Sequence, residues 1–268
     1  MKKIAISMPV HQSPECIEDQ LKNIKKFVPN SVVVLHVSDS SPGLKQQIQS
    51  FANKYDGFLF INPTSYQTFA ANEAAQVTGL STVHASNIRY IASITDFDTM
   101  AFETSNDMFV RKGIENTFSA FDCGCGVQKN DVEDFRQRFP GTVEYLSKVI
   151  DFKYVEKAAQ EGLWFPKEVA LFVADKIFEL MSAHNIPKMA AEEATLANFA
   201  FNGFPELYNS NAGAHYVYHN NAEGPSVDRG MLHKVRNGEL PHVYAVKRVP
   251  RNINDQTRIY IKNITKND

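Results

Sequence analysis

The residues best suited to chemistry stand where apolar runs stop. Four such stops are Pro9-Val10-His11-Gln12, Ser38-Asp39-Ser40, Asn62-Pro63 and Ser105-Asn106-Asp107. If the runs are parallel strands of one open α/β sheet, these polar ends share an edge, and that edge is where such sheets bind ligands. Four polar ends together are better evidence for a site than any one of them. Near the C-terminus, Lys247-Arg248-Val249-Pro250-Arg251 follows an apolar run and is stiffened by its proline, with Arg258 beyond it. Fixed cations of this kind neutralise phosphate. Glu192-Glu193 opens a helical segment. One acid in a first turn is favoured by the helix dipole, and the other is a candidate general base.

Other patterns point away from metals and common cofactors. Asp96-Phe97-Asp98 has the Asp-x-Asp form that binds a divalent metal together with a sugar diphosphate, but it precedes an apolar run instead of following one. Ser105-Asn106-Asp107 has the right place and only one carboxylate, so the expectation is a site that works without a metal. Cys123-Gly124-Cys125 has no second ligand pair with which to form a zinc site. No Gly-x-Gly-x-x-Gly, no Gly-x-x-x-x-Gly-Lys-Ser/Thr and no Gly-x-Ser-x-Gly occurs. Their absence argues against a dinucleotide fingerprint, a P-loop and a serine-hydrolase elbow.

The elements that would position these residues alternate. Residues 4–8 read as a buried strand ending at Pro9, and 15–27 carry Ile17, Leu21, Ile24 and Phe27 at helical spacing. Residues 31–37 are almost continuously apolar, as in strands covered on both faces. A helix with Leu44, Ile48 and Phe51, a strand over 57–61, a mostly helical stretch over 66–94 and a strand over 99–104 follow. This order predicts a mostly parallel sheet with crossover helices. Helices are expected over 140–150, 167–183 and 192–201, and strand-like runs over 214–219, 242–246 and 258–261.

The composition fits a soluble globular protein. The chain has 268 residues, 43% hydrophobic and 22% charged, with a formal net charge of -2. No basic footprint points to nucleic acid. No apolar run approaches the ~20 residues that cross a bilayer, and the N-terminus lacks the cleavage site of a signal peptide. Three cysteines, Cys16, Cys123 and Cys125, are too few for a disulfide framework. A cytoplasmic protein, with peripheral contact at the inner membrane, is the expectation.

The order of these pieces resembles the core-2/I-branching glycosyltransferases and their bacterial relatives. Leu35-His36-Val37-Ser38-Asp39 is similar to that family's strand ending in an acid. Ser81-Thr82-Val83-His84-Ala85, followed by the stretch from Phe97 to Val110, is similar to the segment around its fourth strand. Gly162-Leu163-Trp164-Phe165-Pro166-Lys167-Glu168 is similar to a Gly-x-x-Trp-Phe stretch that leads into a helix. Ala191-Glu192-Glu193-Ala194-Thr195-Leu196 is similar to its acidic pair, and Lys247-Arg248 to its closing basic segment. The chain departs from the animal members in its few cysteines and missing anchor, which favours a bacterial enzyme of lipopolysaccharide or capsule synthesis.

The resemblance implies a GT-A-like α/β fold over residues 1–268. About 1–110 would form the nucleotide-sugar-binding half, and about 111–268 the half with the acceptor site and phosphate clamp. It implies a nucleotide-sugar donor, a saccharide or glycolipid acceptor, inversion at the anomeric carbon and no cofactor or essential metal. Glu193, with Glu192 beside it, would be the base. His11, Asp39, Asn106, Asp107, Lys247, Arg248 and Arg251 would hold the donor, and Trp164 and Asp107 the acceptor. Two other readings are a non-catalytic carbohydrate-binding protein on the same fold, and a metal-dependent transferase using Asp96 and Asp98.

Overall fold

All seven residues of the first apolar run, Ile4–Val10, are buried, and they form strand β1 in the middle of the main sheet. The computed structural model describes residues 2–11, 13–39, 41, 43–66, 79–124, 132–138, 141–155, 160–183, 192–209, 215–218 and 227–264. After β1 come α1 (Pro14–Phe27), β2 (Ser31–Val37), α2 (Leu44–Ala52), β3 (Leu59–Ile61), α3 (Gly79–Ile94) and β4 (Thr99–Phe102). Then follow β5 (Met108–Phe109), α4 (Ile114–Ala120), α5 (Val132–Arg138), α6 (Thr142–Leu146), β6 (Trp164–Pro166) and α7 (Lys167–Ala183). The last are α8 (Glu192–Gly203), α9 (Pro205–Asn209), β7 (Val217–Tyr218), α10 (Arg229–Arg236), β8 (Ala245–Val246) and α11 (Gln256–Asn263).

The main sheet has the order β3-β2-β1-β4-β6. Its first four strands are parallel and β6 is antiparallel to β4. A small second sheet has the order β5-β8-β7. The two faces of β1 follow its alternation. Ile4, Ile6, Met8 and Val10 pack in one core with Ile17, Leu21 and Ile24 of α1. Ala5 joins Val32 and Val34 against α3 and α7 on the other face. Helix α1 starts cleanly because the Ser13 hydroxyl accepts the Cys16 amide and Pro14 occupies the first turn.

The chain lays β2 and β3 to one side of β1, then returns to place β4 on the other. Strand order therefore reverses between β1 and β4. Parallel sheets open a crevice at such a point, outside the carboxyl ends of the strands. Pro9 lies at the mouth of it. The expectation that Pro9 ends the strand is corrected: β1 continues to Val10. The β1–β4 ladder stops at Ser7 and Phe102. By alternation Pro9 faces that same flank, so its missing N–H removes no ladder bond.

Further corrections concern the second half. Residues 258–261 are helical, inside α11, because the Asp255 carboxylate caps the Thr257 amide and because Arg258 and Ile261, one turn apart, are the buried pair. Among the described residues, only Val217–Tyr218 of 214–219 and Ala245–Val246 of 242–246 are strand. Strands β5 and β6 had no expectation.

Candidate active site

A cleft of about 200 Å³ opens at the reversal point, lined by Pro9, Val10, His11, Leu80, Thr104, Ser105, Asn106, Glu161, Lys247 and Arg251. Its floor is the carboxyl ends of β1 and β4. Its walls come from the start of α3, the loop before β6 and the segment after β8. Four polar ends, read from the sequence as one edge, thus contribute two to this cleft. Asn62 and Asp39 end the neighbouring strands. The Asn62 amide is committed to Ser86 and Asn87 of α3. Asp39 is exposed at the end of β2, outside the cleft lining, with its amide on the Tyr66 carbonyl. Gln12 and Ser40 lie outside the described residues.

The turn after β4 is built by Asp107. One of its oxygens accepts both the amide and the hydroxyl of Thr104, at 2.7 and 3.0 Å. The turn presents Ser105 and Asn106 to the cleft and keeps Asp107 fully buried behind them. This corrects the expectation that Asp107 touches donor or acceptor: it shapes the wall from behind.

The basic segment docks on that turn. The Val249 amide donates to the Asn106 carbonyl at 3.0 Å, and the Arg251 guanidinium to the Ser105 hydroxyl at 3.2 Å. The Lys247 amide bonds to the Tyr218 carbonyl of β7. Between them, Arg248 takes a left-handed backbone, φ 67°. Lys247 and Arg251 line the cleft, whereas Arg248 is exposed and stands outside the lining. Of the three basic residues expected to hold the donor, the lining thus brings together Lys247 and Arg251. Arg258 stands behind them. It is 0% exposed, paired with Asp19 of α1 at 2.6 Å, and its Nε donates to the Pro250 carbonyl at 3.0 Å. Its role is to pin the basic segment.

Glu161 had no expectation and is a cleft residue. Its carboxylate lies 2.6 Å from the Lys247 ammonium. Gly162 presents it. With φ 85°, Gly162 is in the region that favours glycine, and a Cβ there would stand 2.8 Å from the Val217 nitrogen. Neighbouring Gln160 donates to the Ser81 hydroxyl at 2.9 Å, which ties the loop to α3.

Behind this wall lie Glu103 and Asp107, both 0% exposed. Tyr216 and Gln20 flank Glu103 and donate to the Phe102 and Thr104 carbonyls at 2.9 and 2.6 Å, and their hydrogen bonding to the carboxyl favours its charged form. Burial, then the charge of Asp107, pushes the Glu103 carboxyl well above its usual range. Burial, then the charge of Glu161, raises Asp107 to about 7, against the pull of Lys247 and Thr104. His11 moves the other way. Burial and the nearby Arg251 lower its imidazole below the usual histidine range.

The remaining expectations fall as follows. Trp164 is 1% exposed, with its ring 4.5 Å from that of Phe118. It is a core residue, which corrects its expected place as a platform for an acceptor sugar. Its indole also explains the glycine at 124, where a Cβ would lie 1.6 Å from the indole nitrogen; Cys125 lies outside the described residues. Asp96 and Asp98 precede β4, at the end of the sheet away from the cleft. Asp96 pairs with Lys167, and Asp98 accepts the Lys3 amide. Glu192 and Glu193 are the first two residues of α8, and their side chains lie outside the described residues. Among the described residues no three His, Cys, Asp or Glu side chains converge as metal ligands. No helix among them is long and apolar enough to cross a membrane.

No protein-family model matches the chain, and no curated protein matches it. Solved structures do. An active-site mutant of LgtC matches over 97% of this chain and 94% of its own, with a TM-score of 0.50 and 8% identity. LgtC as a galactosyltransferase in complex with donor and acceptor sugar analogs matches over the same shares, with a TM-score of 0.49 and 7% identity. The mannosyltransferase PcManGT from Pyrobaculum calidifontis, in complex with GDP-Man and Mn2+, matches over 94% of this chain and 58% of its own, with a TM-score of 0.44 and 12% identity. Identities this low carry the likeness of fold alone. The mostly parallel sheet flanked by helices is a GT-A-like fold.

Proposed function

We propose that the chain is a glycosyltransferase that moves a hexosyl or N-acetylhexosaminyl group from a nucleotide sugar to a saccharide or glycolipid acceptor. The observation that carries this reading is the convergence of Lys247 and Arg251 in a cleft at the β1/β4 reversal. Two cations there suit the diphosphate of a donor, and His11, Ser105 and Asn106 offer hydrogen bonds to its sugar.

In this reading the reaction is a single displacement with inversion. Glu193 removes the proton from the acceptor hydroxyl as its oxygen attacks the anomeric carbon. The bond to the diphosphate breaks, and Lys247 and Arg251 stabilise the charge that develops on the leaving oxygen, an electrostatic role of the oxyanion type. No metal is needed if these cations carry the phosphate charge. The turn after β4 supports this, since its single acid, Asp107, is spent on Thr104. The setting would be bacterial lipopolysaccharide or capsule synthesis, in the cytoplasm, with peripheral contact at the inner membrane.

The test is turnover of a panel of nucleotide sugars by the whole chain in excess chelator, with and without oligosaccharide acceptors. The expected result is donor consumption that survives chelator and is lost in Glu193→Gln. Activity that requires added manganese would reject the metal-independent step, and donor binding without turnover would leave a carbohydrate-binding protein.

A further inference from the structure

Charge is spread unevenly along this chain. Residues 227–264 carry eight Lys or Arg against three Asp or Glu, and residues 132–209 carry eight against twelve, although the whole chain is nearly neutral, at -2. The basic stretch builds α10, β8 and α11, whose buried residues join the core on the α1 side of the main sheet. The acidic stretch builds α5 to α9, whose buried residues join the core on the other face.

Helices α10, α11 and α1 are neighbours on the basic side. The His233 and Tyr260 rings lie 5.6 Å apart, and the Arg236 guanidinium donates to the Tyr260 hydroxyl at 3.2 Å. Helix α11 in turn meets α1: Arg258 and Lys262 reach Asp19 at 2.6 and 3.1 Å, and Lys26 donates to the Lys262 carbonyl at 3.0 Å. Each helix turns its apolar residues inward, Leu232 and Val235 of α10, Ile261 of α11, and Ile17, Leu21 and Ile24 of α1. Exposed to solvent are Arg229, His233 and Lys234 of α10, Lys262 of α11, and Lys22 and Lys25 of α1. The acids here are outnumbered. Glu18 lies 3.4 Å from both Lys22 and Lys54, Asp19 faces two cations, and Asp228 and Asp255 cap α10 and α11. Glu15, in the first turn of α1, and Glu239, beyond α10, add two more.

We propose that the face made by α10, α11 and α1 docks the chain on an anionic lipid bilayer. This names the surface for the membrane contact in the reading above, and it rests on that reading for the choice of a bilayer. The cations are distributed over three packed helices, which suits a broad sheet of headgroup charge better than the narrow track of a duplex. The apolar sides of these helices face the core, so docking is electrostatic, without insertion, and sensitive to salt. Helix α11 also carries Arg258, which holds the segment of Lys247 and Arg251 through the Pro250 carbonyl. The docked face and the cleft cations therefore belong to one stretch of chain.

Flotation of the whole chain tests this, with vesicles of phosphatidylcholine alone and of about two parts phosphatidylcholine to one part phosphatidylglycerol, in ~0.05 M and ~0.5 M salt. The expected result is binding to the anionic vesicles at low salt only. The double variant Arg229→Glu, Lys234→Glu reverses exposed charges outside the cleft lining, and its vesicle affinity should fall at least about tenfold. The double variant Lys148→Glu, Lys153→Glu makes the same change beyond α6, where Lys148 covers the Tyr145 ring on the other side of the sheet. It should stay within about twofold of wild type.

Wild type that ignores lipid charge, or that binds equally at high salt, overturns the proposal whatever the variants do. So does an equal loss in the two double variants, or a loss in neither, once thermal melting shows both to be folded. Binding to a duplex DNA fragment without binding to anionic vesicles overturns it in favour of nucleic acid. Turnover of a nucleotide sugar without vesicle binding overturns the docking and leaves the transfer reading standing. Vesicle binding without turnover supports the docking and counts against the transfer reading alone.

Discussion

The amide of Val249 donates to the carbonyl of Asn106 across 3.0 Å. That bond joins the turn after β4 to the basic segment after β8, and so joins the floor of the cleft to its cations. Arg251 reinforces it through Ser105, and Arg258 holds the segment from behind through the Pro250 carbonyl. The cleft is thus assembled by three parts of the chain that meet only after folding.

Arg258→Met should therefore damage both stability and ligand binding. Removing one partner of a buried ion pair costs ~3–5 kcal/mol. The low end is expected here, because Lys262 also reaches Asp19, at 3.1 Å. Diphosphate affinity should fall as well, although Arg258 touches no ligand. Chemical denaturation and titration on the same preparation check this, and unchanged affinity would break the link between α11 and the clamp.

Stability should depend on pH through Asp107. Its carboxyl titrates at about 7 when folded, against 3.8 ordinarily. The folded state thus holds a proton that the unfolded chain gives up. This contribution is complete below pH ~4 and is lost as pH rises toward 7. Melting temperature should fall across that window, with Glu103 acting in the same direction. Asp107→Asn keeps an acceptor for the Thr104 amide and should flatten the slope. An equally steep slope in that variant would contradict the assignment.

Three glycines provide a graded series. Gly141→Ala meets only a backbone penalty, since φ is 81° and nothing lies within 4 Å. It should cost ~1–2 kcal/mol. Gly162→Ala adds a collision with Val217, and Gly124→Ala a collision with the Trp164 indole. Both should cost more than Gly141→Ala in urea denaturation.

Trp164→Phe should act as a core substitution. It leaves a cavity beside Phe118 and should lower the melting temperature, while the KM for acceptor stays within about twofold of wild type. A large rise in acceptor KM with intact stability would restore a direct sugar contact.

The parallel half of the fold was legible in the chain because its signals are local. The continuous apolar runs of β1 and β2 have one reading in an α/β protein, and the period of α7 holds over Lys167–Ala183 without interruption. The short strands were not legible. Trp164–Pro166 is too brief to alternate, and its strand character comes from pairing with β4. The site was half legible. Polar strand ends and a basic run mark the edge, but charge alone does not distinguish Lys247 and Arg251 in the cleft from Arg248 outside it or Arg258 beneath it. The left-handed turn at Arg248 decides the first, and Asp19 on a distant helix the second. Glu161 carried no signal, since its meaning comes from the Gly162 turn and from Lys247.

The central claim is that the cleft between β1 and β4 holds a diphosphate through Lys247 and Arg251. The most direct measurement is calorimetric titration of nucleotide sugars and their nucleoside diphosphates into wild type, Lys247→Ala and Arg251→Ala, each first shown to be folded. The account predicts binding of at least one of them by wild type. It predicts a loss of ~1.5–3 kcal/mol in each variant, roughly ten- to a hundredfold in Kd. Wild-type binding that both variants retain in full would contradict it.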